Sequence, residues 1–293
     1  MHGRLPGTRI GFVGLGSMGG PLAGRLLYRN QVFGTNRTRS KANALIDKGL
    51  VWRDTPREVA AAADVVFSMV ADDAALAAVT SGPDGILAGL RPGALYIEMS
   101  TVSPGASREL SMRVCLAGAT MVDAPVSGGI LAAETGTLVI MVGGTEAGYR
   151  AAEALLLRLG RTVTHVGGNG QGLLLDLAIN ISTAAQMAAF HEGVMLAARG
   201  GIDPTVTARA MTEFANGPAR AKSGLPPALD LSRQAGCDVA RIHKGIRLAL
   251  ETAHASGQQV PVTAAVERAL DRVRESGYAH RDIAGLYRGA ART

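Results

Sequence analysis

The sequence predicts an α/β fold in two parts: a mainly parallel, doubly wound sheet, then an all-helical domain joined to it by a long helix. Three observations lead there. The apolar run Ile10-Gly11-Phe12-Val13 meets Gly14-Leu15-Gly16-Ser17-Met18-Gly19, and an apolar segment at helical spacing, Pro21 to Leu27, follows. From there to Val166, short apolar runs alternate with helical patterns, the order that produces a parallel sheet covered on both faces. Past Gly167-Gly168-Asn169-Gly170 only helical patterns remain. The expected division is residues 1–168 and 169–293.

The first element has a chemical meaning. A strand, a tight glycine turn and a helix N-terminus in series suit a dinucleotide pyrophosphate. Gly14 allows the turn, Gly16 lets the backbone approach the phosphates, and Gly19 lets the helix pack on the strand. The free N–H groups and the helix dipole then face the anion. Gly14, Gly16, Ser17, Met18 and Gly19 are the expected pyrophosphate residues of a Rossmann domain. Gln31 to Asn36 reads as the second strand. A fold that prefers NAD places Asp or Glu about 20 residues past the glycine turn, to hold the ribose 2′-hydroxyl. Here Asn36 stands there, followed by Arg37-Thr38-Arg39-Ser40-Lys41. A carboxylate would repel a 2′-phosphate, whereas two arginines and hydroxyls attract it. NADP(H) is the expected cofactor, with Asn36, Arg37 and Thr38 at its adenosine end.

Val51 to Arg53 is a short extended piece. Thr55-Pro56 reads as a cap with Pro in the first turn, opening a helix to Ala63. Asp64 to Val70 is a buried-type strand, and Asp72-Asp73 starts a helix with carboxylates at its positive end. Pro83-Asp84-Gly85 and Arg91-Pro92-Gly93 are turns. Ala94 to Ser100 is a strand, and Ser103-Pro104 opens a helix to Leu116. Thr120 to Pro125 is a strand leading into Val126-Ser127-Gly128-Gly129. Thr137 to Gly144 is a strand, Glu146 to Leu159 a helix, and Thr162 to Val166 the last strand. Ligands on such a sheet bind beyond the carboxyl ends of its strands. Gly14–Gly19, Asn36–Arg39, Met69–Asp72, Ser100-Thr101 and Ser127–Gly129 all follow strand ends, so they are expected on one rim. Val70, Ala71 and Thr101 join the expected cofactor residues on that ground.

Gln171 to Arg199 has no proline and one internal glycine besides Gly172, Gly193. It supports a single helix of about 45 Å. Its apolar residues occupy almost all faces, so burial on several sides is expected. Gly200-Gly201 stops it, and Asp203-Pro204 caps the next helix. Asn216-Gly217-Pro218 and Gly224-Leu225-Pro226-Pro227 read as loops. Asp238 to Ala255, Pro261 to Ser276 and Asp282 to Tyr287 read as helices.

Composition excludes several classes. The 293 residues are 47% apolar and 18% charged, with aromatics at 4%, so the core is built from aliphatic side chains and Met. The net charge of +6 is scattered, which suits attraction of an anionic cofactor and not a nucleic-acid face. Cys115 and Cys237 make no disulfide framework. Met1 to Arg9 lacks the apolar core of a signal peptide. No run of about 18 uninterrupted apolar residues suggests a membrane span. A soluble cytoplasmic protein is expected. No His/Cys/Asp cluster has metal-ligand spacing, and His191 reads as a core histidine.

Gly14–Gly20 with Pro21, Asn36-Arg37-Thr38, Asp123-Ala124-Pro125-Val126-Ser127-Gly128-Gly129, Gly136-Thr137-Leu138 and Ile140–Gly144 together resemble the β-hydroxyacid dehydrogenase family. This is the group of 3-hydroxyisobutyrate dehydrogenases and tartronate-semialdehyde reductases, related to 6-phosphogluconate dehydrogenase. The Asp123–Gly129 run is its most specific part. The resemblance implies a Rossmann domain, a long interdomain helix, an all-helical second domain and a homodimer or homotetramer. It implies hydride transfer between NAD(P) and a small 3-hydroxy acid. It also implies that Ser127, Gly128 and Gly129 meet the substrate carboxylate, as a hydroxyl and open backbone N–H groups do in an anion nest.

The same resemblance implies a catalytic Lys near the start of the long helix, with an Asn four residues later. That spacing puts both on one helix face. Here the register lands on Asp176 and Asn180. A Lys-Asp pair implied in the second domain, facing the cofactor, is here Lys244-Gly245. The chain's lysines are Lys41, Lys48, Lys222 and Lys244, and none can occupy the position of Asp176. The stretch Gly172-Leu173-Leu174-Leu175-Asp176-Leu177-Ala178 is instead similar to imine reductases, a sister group in which many members have Asp in this place.

Ketone reduction needs a hydride to carbon and a proton to oxygen. An Asp with an ordinary pKa near 4 is ionised at pH 7; it is a poor acid and repels a developing alkoxide. It could donate only if burial raised its pKa by roughly three units. An iminium ion arrives cationic, needs no further proton and is held by a carboxylate. Asp176 therefore favours C=N over C=O reduction, with Asn180 and Lys244 completing the expected catalytic set. Two other readings stand beside it. One is a reductase of a small aldehyde or keto acid, its carboxylate bound by Ser127–Gly129 and Lys244. The other is a catalytically silent NADPH-binding scaffold.

Overall fold

The computed structural model describes residues 8–213 and 238–280. The loops read at 216–218 and 224–227, Lys222, Cys237 and the helix read at 282–287 lie outside the described residues. The chain divides into two compact units, Met1–Asp176 and Leu177–Thr293.

The first unit is built as β1 (Arg9–Val13), α1 (Gly19–Leu27), β2 (Gln31–Thr35), α2 (Asn43–Ile46), β3 (Val51–Trp52), α3 (Pro56–Ala62), β4 (Val65–Ser68), α4 (Asp73–Thr80) and α5 (Ile86–Gly89). It continues as β5 (Leu95–Glu98), α6 (Pro104–Leu116), β6 (Thr120–Asp123), β7 (Val126–Ser127), α7 (Ile130–Thr135), β8 (Leu138–Gly143), α8 (Glu146–Leu156) and β9 (Gly160–Gly167). The sheet runs β3-β2-β1-β4-β5-β6-β8-β7, with β9 beside β8. The pairs from β3 to β6 are parallel. β8 is antiparallel to both β6 and β7. β7 therefore points the same way as β6, and Ser127 stays at the carboxyl-end rim.

Alternation along the strands produces a core on each face of the sheet. Ile10, Phe12 and Phe67 pack under α1 with Leu22 and Leu26, whereas Val13, Val66 and Tyr96 pack with Val59, Leu110 and Val114 of α3 and α6. Cap residues legible in the sequence act as caps. Thr55 Oγ1 accepts the Glu58 N–H, Asp72 Oδ1 the Ala75 N–H, and Ser103 Oγ the Ala106 N–H. The sequence reading leaves α2, α5 and α7 out, because four to six residues are too few to display a period.

The long helix α9 (Gln171–Arg199) runs as expected. Its burial is narrower than its composition suggests. Within this chain the buried side chains form one stripe, Leu173, Asp176, Leu177, Ala184, Met187 and Val194, while Leu174, Leu175 and Leu196 are exposed. By length and composition alone α9 could cross a membrane, with mean hydropathy 1.4, a property that the criterion of uninterrupted apolar residues does not register. Core helices of soluble proteins share it, and the buried stripe of α9 carries a carboxylate. The compact units divide after Asp176 and not at residue 168, because the first turn of α9 belongs to the sheet: Leu173 packs into its core.

The second unit adds α10 (Pro204–Glu213), α11 (Val239–Ala255) and α12 (Pro261–Val273). Asp203 Oδ1 accepts the Thr205 N–H and Asp238 Oδ1 the Arg241 N–H, capping the first two. Ala184 and Met187 of α9 pack with Val239, Ile242 and Ile246 of α11 and Val266, Leu270 and Val273 of α12. Past Val273 the helix widens into one π turn, Arg274–Tyr278, and does not continue as an α-helix to Ser276.

Candidate active site

The glycine turn has the geometry its spacing implies. Gly14 has φ of 94°, and a Cβ there would overlap the Met69 carbonyl oxygen. A Cβ on Gly19 would overlap the Gly14 carbonyl oxygen and crowd the Phe12 ring. Gly16 has no neighbour within 4 Å of a Cβ position, so its backbone faces open space. No side chain caps α1; the Gly20 and Leu22 N–H groups donate to the Gly16 and Met18 carbonyls and Pro21 has none, so the backbone that faces an anion is that of the glycine turn at the helix start. These features fit a dinucleotide pyrophosphate.

Asn36 ties this turn to the end of β2: its Oδ1 accepts the Leu15 N–H at 3.1 Å and its Nδ2 donates to the Thr38 carbonyl at 2.9 Å. Both ends of its amide are thus used within the chain. Arg39 lies over the Trp52 ring at 5.2 Å. Arg37 and Thr38 are exposed beside them.

Between β4 and β5 lies a buried polar cluster that the sequence reading misses. Glu98 Oε1 accepts the Ser100 N–H at 2.7 Å, and Ser68 Oγ lies 3.5 Å from the same oxygen. Ser68 Oγ is 2.7 Å from the Tyr96 hydroxyl. Burial, then the nearby Glu98, pushes the Tyr96 hydroxyl pKa far up, so it stays protonated. Ser100 Oγ in turn accepts the Val70 N–H at 2.8 Å. This cluster sets the loops that carry Val70, Ala71 and Thr101. A polar residue spaced at period 2 inside a buried-type strand was its only signal, and strand propensity does not separate it from a chance polar residue.

Asp123 receives the long helix. Its Oδ1 accepts the Gly170 N–H at 2.6 Å and its Oδ2 the Leu173 N–H at 3.2 Å. A Cβ on Gly143 or Gly172 would lie 2.6 or 2.8 Å from Oδ2, so two glycines make room for this carboxylate. Burial pushes its pKa up, while the backbone N–H groups of Gly170, Leu173, Asp123 itself and Gly172 pull it down. Asp123→Ala removes a helix cap and orphans two buried donors, an expected loss of about 2–4 kcal/mol. Urea denaturation measures it; an unchanged midpoint would show that water replaces the carboxylate at no cost.

Three residues after Leu173 the same helix presents Asp176. The side chain is buried, and Thr101 Oγ1 donates to its Oδ2 at 3.1 Å. The structure thus joins two expected site residues that lie 75 positions apart. Ser127, Gly128 and Gly129 lie half-buried at the end of β7. Gly128 has φ of 141°, and a Cβ there would press on Leu138 and Ala132; Gly129 leads into α7. In the second unit Asn180 packs against Gly245, where a Cβ would meet its side chain at 3.3 Å. The glycine that follows Lys244 therefore has a packing reason: it admits Asn180. Lys244 is half-buried on α11. Burial lowers the His191 pKa to about 4, which keeps the ring neutral at pH 7.

Two matches cover most of the chain. Residues 9–167 match the NAD binding domain of 6-phosphogluconate dehydrogenase, and residues 170–289 match the NAD-binding domain of NADP-dependent 3-hydroxyisobutyrate dehydrogenase. The chain belongs to the β-hydroxyacid dehydrogenase family. Glyoxylate/succinic semialdehyde reductase 2 of Arabidopsis thaliana is 32% identical over 286 residues, 94% of this chain and 78% of that protein. The 3-hydroxyisobutyrate dehydrogenase of Mycobacterium tuberculosis, solved with L-serine, superposes with a TM-score of 0.88 at 26% identity, covering 98% of this chain and 100% of that one. Psf3, solved with NADP+ and 2-OPP, has a TM-score of 0.87 at 27% identity, covering 97% and 100%. An imine reductase from Pseudomonas sp., at 22% identity and a TM-score of 0.64, shares the fold. As a β-hydroxyacid dehydrogenase family member the chain is an NAD(P)-binding oxidoreductase.

One further cluster of the second unit has metal-ligand types. The ligand atoms of His243, Glu267 and Asp271 lie within 4.8 Å of one another, which linear spacing does not display. Arg274 Nη1 donates to Asp271 Oδ1 at 2.9 Å, so a guanidinium already supplies positive charge there.

Proposed function

We propose that this oxidoreductase uses NADPH and reduces small substrates, C=N in preference to C=O. Asp176 carries the reading. It is a buried carboxyl group that accepts the Thr101 hydroxyl. An anion here is a poor proton donor to oxygen but a good partner for an iminium cation. Bound NADPH supplies the hydride. Gly14, Gly16, Ser17, Met18 and Gly19 hold its pyrophosphate, Arg37 and Thr38 its 2′-phosphate, and Val70, Ala71 and Thr101 line its path. Ser127–Gly129 take an anionic group when the substrate carries one. The exposed leucines of α9, Leu174, Leu175 and Leu196, support a homodimer or homotetramer that covers them.

The second reading, reduction of a small semialdehyde or keto acid, is favoured by the 32% identity to a reductase named for such substrates. NADPH oxidation with a cyclic imine, with succinate semialdehyde and with neither separates the two. Faster turnover of the imine is expected. Faster turnover of the semialdehyde reverses the assignment, and NADPH binding with turnover of neither points to a silent scaffold.

A further inference from the structure

Away from the nucleotide rim, the first unit holds a cavity of about 750 Å³, a volume ordinary for a small-ligand site. Its floor is the glycine face of α1, Gly20 and Gly24. Its walls carry four cations, Arg25, Arg29, Lys48 and Arg158, against one carboxylate, Glu134. Lys48 lies past the end of α2 and lines this cavity.

The cations are unevenly built. Arg25 is held in place: Nε donates to the Arg158 carbonyl at 2.8 Å and Nη1 to the Glu134 carbonyl at 2.9 Å. A Cβ on Gly136, whose φ is 71°, would overlap Nη2, so that glycine leaves space for the guanidinium. Arg158 Nη1 is buried and, among the described residues, has no hydrogen-bond partner. Among the described residues none of the four forms an ion pair with a carboxylate. A buried charged donor without an acceptor is costly, and gathering like charges in one concavity adds repulsion. An anion large enough to span several cations relieves that repulsion. Guanidinium forks favour oxyanions that accept in pairs.

We propose that this cavity binds a small polyanion, a diphosphate or a polycarboxylate, at a site separate from the nucleotide site. The test is calorimetric titration of the full chain with inorganic diphosphate and, in a second arm, with citrate. Both are run with saturating NADPH, so that the glycine turn is filled. Saturable 1:1 binding of either probe is expected. Lys48→Glu and Arg158→Gln are each expected to weaken it at least about tenfold, with the NADPH affinity of both variants unchanged. The stronger arm tells phosphate from carboxylate chemistry. Lys48 is exposed, so its variant folds even if Arg158→Gln does not. Absence of saturable binding in both arms, or affinities that Lys48→Glu leaves unchanged, would overturn the proposal. Failure of the nucleotide reading would show in the NADPH titration instead, and the same probes run without NADPH then test the cavity alone.

Discussion

Asp176→Asn is expected to lower kcat for a cyclic imine by about a hundredfold to a thousandfold, the size of effect seen when one preorganised electrostatic group is removed from a reacting centre. Asn keeps the volume of Asp and keeps an oxygen to accept from Thr101, so the helix and the buried hydrogen bond survive. The charge is lost, and one acceptor oxygen becomes an amide donor. A residue that merely satisfied Thr101 would tolerate this change, and imine turnover at the parent level in the Asn variant would remove Asp176 from the mechanism. Asp176→Lys sharpens the contrast. It places a proton-bearing amine where the family resemblance implies one, and activity is expected to shift toward semialdehydes and 3-hydroxy acids. Because the site is buried, thermal melts of both variants must accompany the kinetics. A folded Lys variant with no gain on carbonyl substrates would mean that the register read from Asp176 and Asn180 is wrong.

Arg37→Ala is expected to raise KM for NADPH about 10-fold to 100-fold while moving KM for NADH less than about twofold. One charge-assisted hydrogen bond is worth about 1.5–3 kcal/mol, and each 1.4 kcal/mol is about tenfold in affinity. We single out this arginine from a basic run. Asn36 has both ends of its amide engaged, and Arg39 lies over Trp52. Arg37 is exposed at the strand end and, among the described residues, forms no ion pair. Arg39→Ala should therefore have the smaller effect. Steady-state kinetics with both nucleotides decides it; equal effects of Arg37→Ala on NADPH and NADH would withdraw the 2′-phosphate role.

Most of the fold was readable because its signals are local. Gly14 and Gly19 announce a turn that no other residue fits, and the crowding around their missing Cβ atoms is the reason. Thr55, Asp72, Ser103, Asp203 and Asp238 announce helix starts because each cap bonds a backbone group two or three residues on. The pattern of α9 fixed its span, but not how much of it the chain covers. A run of apolar residues states what can be buried; the partners that bury it come from elsewhere in the chain.

By itself, then, the order of residues determined the two-part architecture, the nucleotide turn and the presence of a carboxylate on the first turns of the long helix. Those depend on neighbours a few positions apart. Only the tertiary structure decided that Thr101 donates to Asp176, that Asp123 receives the N-terminus of α9 across 47 positions, that Glu98 and Ser68 share a buried cluster, and that Gly245 makes room for Asn180. Each of these joins groups distant in sequence, and hydrogen bonds and van der Waals contacts act over a few ångströms of space, whatever the length of chain between the partners.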